Sequence, residues 1–305
     1  MPSGIRACLT NWCLLLLGLL CAGAVLAAPL PPAPFGPAAL RDRFAKLRAQ
    51  LEPNPFGPRL YVESLETSDR LRGEIYAQVD HPFPQVREAL GHAEHWSQIL
   101  ILHLNVKYCR ATNELPQMLD VSLGRKFDQP LEDAHWVRFT YRPTRASDDY
   151  LRVELSAPTG PMGTHDYLIA VEAAPIDTNQ SLVHLTYSYA YDTSAWLAMK
   201  VYLITLGRDK VGFSVIGTEA SGQPKYVEGV RGVVERNIMR YYLAIDAYLG
   251  TRTLPVTEQD QQMALAWFDA TERYARQLHE IDRDVYLKMK EQEMRRQETQ
   301  PPPKL

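Results

Sequence analysis

Apolar and polar residues alternate along much of the middle of the chain. Leu119, Val121 and Leu123 fall on one face of a two-residue repeat. So do Val137, Phe139 and Tyr141, then Leu151, Val153 and Leu155, then Tyr167, Ile169 and Val171. The row Val183, Leu185, Tyr187, Tyr189 and Tyr191 completes the series, and the intervening positions include Arg138, Arg152, Glu154, Glu172 and His184. This period predicts strands near 102–110, 117–124, 134–143, 149–156, 164–174 and 181–191, preceded by a strand pair at 59–66 and 70–80. One covered and one wet face is the pattern of an antiparallel sheet with something packed on one side. Asp128-Gln129-Pro130, Ser147-Asp148-Asp149, Pro158-Thr159-Gly160-Pro161 and Asp177-Thr178-Asn179 supply the turns.

The cover for that face is written in VEGVRGVVERNIMRYYLAIDAYLG, residues 227 to 250. Val227, Val230, Val234, Ile238, Tyr241, Ile245 and Tyr248 recur at steps of three and four and share one helical face. Asn237 sits inside this stripe beside Tyr241. An amide on such a face needs a hydrogen-bond partner or a ligand. Pro224 is expected to launch the helix. Arg231 and Glu235 stand one turn apart and can pair, and Arg240 at the stripe edge can reach a buried carboxylate.

Four further helices are expected, one of them a short helix over 82–91 that opens with proline. Leu40, Phe44, Leu47 and Leu51 make a short amphipathic helix over 38–52. Residues 194–206 carry Trp196, Met199, Leu203 and Leu206 on one face, followed by the charged corner Arg208-Asp209-Lys210. From about 257 to 297 the seam Met263, Trp267, Ala270, Tyr274, Leu278, Ile281, Val285 and Met289 keeps close to a heptad repeat. That seam suits packing on its own domain, or a homodimer through 257–297.

The order of elements resembles the START-like helix-grip superfamily, which holds lipid-transfer domains, polyketide cyclases and plant ligand-binding proteins. The likeness covers about residues 59 to 250 and rests on GEIYAQVDHPFPQVREAL with HWSQIL, residues 73 to 100, and on the long helix. It implies an α+β fold in which a curved antiparallel sheet wraps the helix around a cavity. Phe139, Tyr141, Val153, Ile169, Tyr187, Tyr189, Asn237 and Tyr241 are then the expected ligand-binding lining, with Arg208 and Lys210 at the cavity mouth. The function implied is binding or transport of a hydrophobic or amphipathic ligand, a lipid above all. A cyclase or dehydratase using cavity phenols is the alternative, and an interaction protein assembling through the last helix is a third.

Composition adds the setting. Residues 1–27 combine Arg6, the apolar run CLLLLGLLCAGAVL and small residues before Ala27, the pattern of a cleaved signal peptide. Residues 28–58 form a proline-rich tether and the short helix, 59–250 the ligand-binding domain, and 251–305 the charged helix and a tail expected to be disordered. Cleavage leaves Cys109 as the sole cysteine, so no intrachain disulfide can form. The protein is expected in the periplasm or secreted, with transient membrane contact. A net charge of -3 gives no electrostatic case for nucleic acid.

No cofactor or metal is expected. His92 and His95 lack a third ligand, and Cys109 suits a buried small hydrophobe. Adjacent strand residues point to opposite faces, which argues against a pair between His165 and Asp166. No GxSxG, P-loop or dinucleotide glycine pattern is present.

Overall fold

The computed structural model describes residues 35–51, 59–112, 114–193 and 210–301. The signal segment, the first part of the tether, and the helix expected at 194–206 with Arg208 lie outside them. No helix among the described residues is long and apolar enough to cross a membrane.

Eight antiparallel strands form one sheet: β1 (Leu60–Glu66), β2 (Arg70–Val79), β3 (Val106–Ala111), β4 (Met118–Leu123), β5 (His135–Ala146), β6 (Leu151–Thr159), β7 (Thr164–Pro175) and β8 (Ser181–Tyr191), in the spatial order β1-β2-β8-β7-β6-β5-β4-β3. The alternation fixes the register. One rung runs Gly73, Tyr187, Ile169, Leu155 and Tyr141 across five strands, so every apolar face points the same way. Helix α2 (Phe83–Leu90), opening after Pro82, and α3 (Ala93–Leu100) follow β2, separated at Gly91. The Trp96 indole donates to the Leu90 carbonyl at 2.9 Å and ties the two together.

The long helix α4 (Gly229–Thr251) lies on the covered face, against β1, β2 and β8, in a helix-grip arrangement. Val230, Val234, Ile238, Ile245 and Tyr248 are buried, whereas Asn237 and Tyr241 are half-buried. Gly73 permits the close approach, since a methyl group there would meet Ile238 Cγ2 at 3.2 Å. The helix starts later than Pro224 suggests. Pro224–Tyr226 is a strand, β10, paired with β9 (Val215–Thr218), and the turn between them uses Gly222 at φ +83. A left-handed residue closes a tight hairpin at little cost when it is glycine.

Arg231 and Glu235 do not pair. Glu235 is fully buried and accepts the Phe213 and Ser214 amides at 2.7 and 2.8 Å, with the Ser64 and Ser214 hydroxyls on its other oxygen. Arg231 donates to Ser64 instead. Two backbone amides and two hydroxyls satisfy the carboxylate better than one solvated guanidinium.

The final helix is broken into α5 (Val256–Glu272), a single turn α6 (Ala275–Leu278) and α7 (Arg283–Thr299). Tyr274 leaves helical geometry at φ -118, ψ 42, and Asp282 is extended before α7. The break lets α5 cover the outer side of α4 while α7 turns to the β3 edge. Met263, Trp267, Ala270, Tyr274, Leu278 and Met289 are buried on the chain's own core, but the seam slips by one residue, so Tyr286 is buried where Val285 is half exposed. At the edge, the Cys109 amide donates to the Gln297 side chain at 3.1 Å, and the Tyr108 hydroxyl to the Gln300 carbonyl. Covering an edge strand in this way removes a template for aggregation.

The other sheet face is less wet than its sequence suggests. Helix α1 (Pro37–Leu51) buries Leu40, Phe44, Leu47 and Leu51 against Tyr76, Tyr150 and Ala174. Each such side chain contributes about 1.5–3 kcal/mol of burial before ordering costs. Beneath the helix, Glu74, Arg152, Glu172 and His184 are buried together. His184 Nδ1 lies 3.0 Å from Glu172, its ring stacks on Tyr76 at 4.2 Å, and Glu74 accepts from the Tyr76 hydroxyl.

Candidate functional site

Between the sheet and α4 lies a cavity of about 390 Å³. Leu100 from α3, Val106 from β3, Val121 from β4, Phe139 from β5 and Ile169 from β7 form its apolar wall. Tyr167, Tyr187 and Tyr241 add aromatic surface, with Tyr187 and Tyr241 edge to face at 5.3 Å between ring centres. Arg125, Asp133 and the 74% exposed Met162 mark the outer rim, on the loops after β4 and β6.

Five of the expected lining residues meet here: Phe139, Ile169, Tyr187, Asn237 and Tyr241. The other three are not among the residues around this cavity. Tyr141 is buried with its hydroxyl toward the Leu90 carbonyl, Val153 is fully buried in the sheet face, and Tyr189 stacks on Tyr167 at 5.3 Å. Lys210 is not at this rim either: its ammonium donates to the His279 carbonyl. Arg240 binds Glu280 at 2.9 Å and the Leu278 carbonyl. Asn237 and Tyr241 face the cavity because a helix residue three or four positions from Val234 and Ile238 falls at the border of the stripe, where the sheet stands away.

Besides Asn105, Gln129 and the rim charges Arg125 and Asp133, the polar groups around the cavity are few. His103 is 3% exposed, in the loop between α3 and β3, and its ring stacks on Tyr241 at 4.9 Å. Its Nδ1 accepts the Asn105 amide at 3.2 Å, so Nε2 carries the proton. That Nε2 has no partner among the described residues. Burial, and then the positive charges of Arg240, Lys290, Lys126 and Lys107, push the imidazole well below its ordinary range and hold it neutral. The Tyr187 and Tyr241 phenols are pushed far above theirs, chiefly by burial. At neutral pH the cavity therefore presents donors: an imidazole N–H, two protonated phenols and the Asn237 amide. None of these is poised to take a proton, because the imidazole nitrogen that could accept one already holds the Asn105 N–H.

Loop 101–105 is gripped from outside by α7. The Tyr286 hydroxyl donates to the Leu102 carbonyl at 3.0 Å, and Lys290 Nζ to the carbonyls of His103 and Val106 at 2.8 and 3.0 Å. Lys290 also meets Glu293 at 2.7 Å, and Glu293 meets Lys107 at 3.0 Å, with all three side chains at most 1% exposed. Sequence reasoning missed His103. Its one signal is an imidazole inside the apolar run Ile99 to Leu104.

The other candidate chemistry stays dispersed. No cluster of three metal-binding side chains occurs among the described residues. His92 pairs with Glu88 at 3.5 Å on the surface. Cys109 is buried, and burial raises its thiol far above the ordinary range. His165 and Asp166 do meet, at 3.1 Å, contrary to strand alternation. Asp166 takes φ 50 where the register with β8 shifts, which turns both side chains to the same side. Both are exposed and apart from the cavity lining.

No family model matches the chain, and no curated protein matches it. Among solved structures, norcoclaurine synthase from Thalictrum flavum is 14% identical over 47% of this chain and 89% of its own, with a TM-score of 0.33. An aromatase/cyclase from Streptomyces sp. R1128 is 11% identical over 64% of this chain and 97% of its own, at 0.34. A conserved protein from Geobacillus kaustophilus is 11% identical over 45% and 85%, at 0.31. Similarity at this level says nothing of what this chain binds.

Proposed function

We propose that this protein binds, and carries, a hydrophobic or amphipathic small molecule, a lipid in the first instance, outside the cytoplasm after cleavage near Ala27. The observation that carries this reading is the cavity of about 390 Å³, walled by apolar and aromatic side chains with a few convergent donors. Burial of apolar ligand surface supplies roughly 25 cal/mol per Å² before the costs of association. The exposed Met162 at the rim suits brief contact with a membrane surface while a ligand enters.

The test is direct. Residues 28–305 are purified under native conditions and extracted with organic solvent for mass spectrometry. A stoichiometric apolar compound is the expected result. An empty extract, together with no binding from a panel of labelled lipids, overturns the reading.

A second reading is an enzyme of cyclase or dehydratase type, favoured by the convergence of His103, Tyr187 and Tyr241 on one cavity. It weighs less, because the imidazole is held neutral with its free nitrogen already protonated and both phenols ionise far above neutrality. Assembly through 257–297 draws no support from the packing, since the seam faces the chain's own core.

A further inference from the structure

We infer that the end of the cavity at His103 recognises an anionic oxygen, the carboxylate of an apolar acid, through the His103 imidazole, the Asn237 amide and the Tyr241 hydroxyl. This rests on the cavity being a binding site, as proposed above, and adds which end of the ligand goes where.

Three observations carry it. The first is the His103 imidazole, 3% exposed and among the residues around the cavity, whose buried Nε2–H has no protein partner among the described residues. A buried donor left unmade is costly, and more is regained when its acceptor is charged. Second, the backbone amide on Nδ1 fixes this tautomer, so the donor is permanent and cannot turn into an acceptor for an amine. Third is the charge around the loop. Glu280 meets both Lys126, at 2.6 Å, and Arg240, at 2.9 Å, and Glu293 meets both Lys107 and Lys290. Arg240, Lys290, Lys126 and Lys107 all act against a positive charge on the His103 ring, so among the described residues the field there favours negative charge. Such a field favours an anionic oxygen and disfavours an ammonium.

These four cations point at carboxylates and backbone carbonyls, and among the described residues Arg125 at the rim is the one cation around the cavity. The donors at the His103 end are neutral. That combination suits a singly charged, partly desolvated carboxylate rather than a phosphate ester, which calls for direct charge pairs. Leu100, Val121, Phe139 and Ile169 then receive the apolar body.

Calorimetric titration of the full chain with decanoate, decanol and decylamine at neutral pH tests this. Wild type is expected to bind decanoate at least about tenfold tighter than decanol, the weight of one charge-assisted hydrogen bond, and decylamine most weakly. His103→Leu should bring decanoate down to the affinity of decanol while decanol is unchanged. His103→Gln, which keeps an N–H donor, should restore part of the difference and covers the case in which the leucine variant does not fold. Naphthoate run in parallel tells a flexible acyl acid from a planar aromatic one, and preference for either acid over its neutral analogue supports the proposal. Equal binding of acid and alcohol, or tighter binding of the amine, overturns it and leaves the apolar-ligand reading standing. Failure of all probes to bind overturns this inference, and the solvent extraction above then decides the apolar-ligand reading by itself.

Discussion

Lys290 Nζ, on the last helix, donates to the main-chain carbonyl of His103 at 2.8 Å, and the imidazole of the same residue lines the cavity. Helix α7 thus holds a loop of the candidate site from outside. Its anchor is an ion cluster of Lys107, Lys290 and Glu293, in which one carboxylate serves two buried ammonium groups. Burial pushes Lys290 down to about 8 while Glu293 holds it up. Glu293→Gln leaves both cations without their carboxylate and is expected to cost about 3–5 kcal/mol. Replacing Lys107, Lys290 and Glu293 together by Met should cost much less, because no charge remains to be desolvated. Urea unfolding of the two variants checks the order.

The charge cluster under α1 predicts a pH profile. Burial opposes the charge on His184, but its hydrogen bonds to Glu172 and Glu74 and their charges outweigh this and raise its pKa. Glu172 and Glu74 are lowered in turn: burial acts to raise both, and His184 outweighs it, helped by Tyr150 and Arg152 at Glu172 and by Arg72 at Glu74. Arg43 from α1 lies over Tyr76 at 5.1 Å and binds Glu63, completing the surroundings. A raised histidine contributes stability that is fully present below its unfolded value of about 6.5 and lost as pH rises through the folded one. The lowered carboxylates contribute stability above about 4.3 and lose it as pH falls through their folded values. His103 acts the other way from His184: it is held neutral, so stability declines as pH drops below about 6.5. Thermal stability should therefore peak near about pH 6.5. His184→Gln should flatten the alkaline limb and His103→Gln the acid one, read as melting temperature against pH.

Gly73 fixes how near α4 sits to the sheet. Its Cβ position is 3.2 Å from Ile238 Cγ2 and 3.4 Å from both Val234 Cγ2 and the Val234 carbonyl. Ile238 and Val234 are fully buried and cannot swing aside. Gly73→Ala gains up to about 1 kcal/mol by restricting the unfolded chain and loses roughly 1–3 kcal/mol to overpacking. Overpacking wins, and a net loss of about 1–2 kcal/mol in chemical denaturation is expected.

The parts of this fold that sequence reveals are those governed by a single local period. The two-residue alternation of Val137, Phe139 and Tyr141, or of Tyr187, Tyr189 and Tyr191, places the strands and their buried face. The three-four spacing of Val230, Val234 and Ile238 places α4, and the border position of Asn237 and Tyr241 brings them to the cavity. What is hidden depends on which elements meet. Arg152, Glu172 and His184 read as solvated until α1 is laid over that face. Tyr141 and Val153 share the alternation of Phe139 but lie where α2 and the neighbouring strands close the space. His103 has no periodic signal because it sits in a loop, and its place is set by Lys290 and Tyr286 some 180 residues later. The heptad seam from Met263 to Met289 is real in composition, yet α5 packs on α4 and α7 on β3, and the chain breaks at Tyr274 and again before Arg283 to reach both parts of one core.

Whether the space beside Tyr241 is a true cavity can be tested without any ligand assumption. Val121 and Val153 are both at most 1% exposed on the same sheet face, but Val121 borders the cavity and Val153 does not. A larger side chain in a filled core forces off-rotamer neighbours and costs typically about 1–3 kcal/mol. One that grows into empty or solvent-filled space meets little resistance and removes apolar surface from water, about 25 cal/mol per Å². Val121→Phe is therefore expected to hold stability within about 1 kcal/mol of wild type, whereas Val153→Phe loses about 1–3 kcal/mol. The two should separate in the opposite sense on binding. Val121→Phe occupies the volume a ligand needs, so decanoate affinity falls at least about tenfold, and folded Val153→Phe keeps it. Equal destabilisation by the two substitutions in urea titrations would show that Val121 faces packed core in solution, and the binding reading would lose its physical basis.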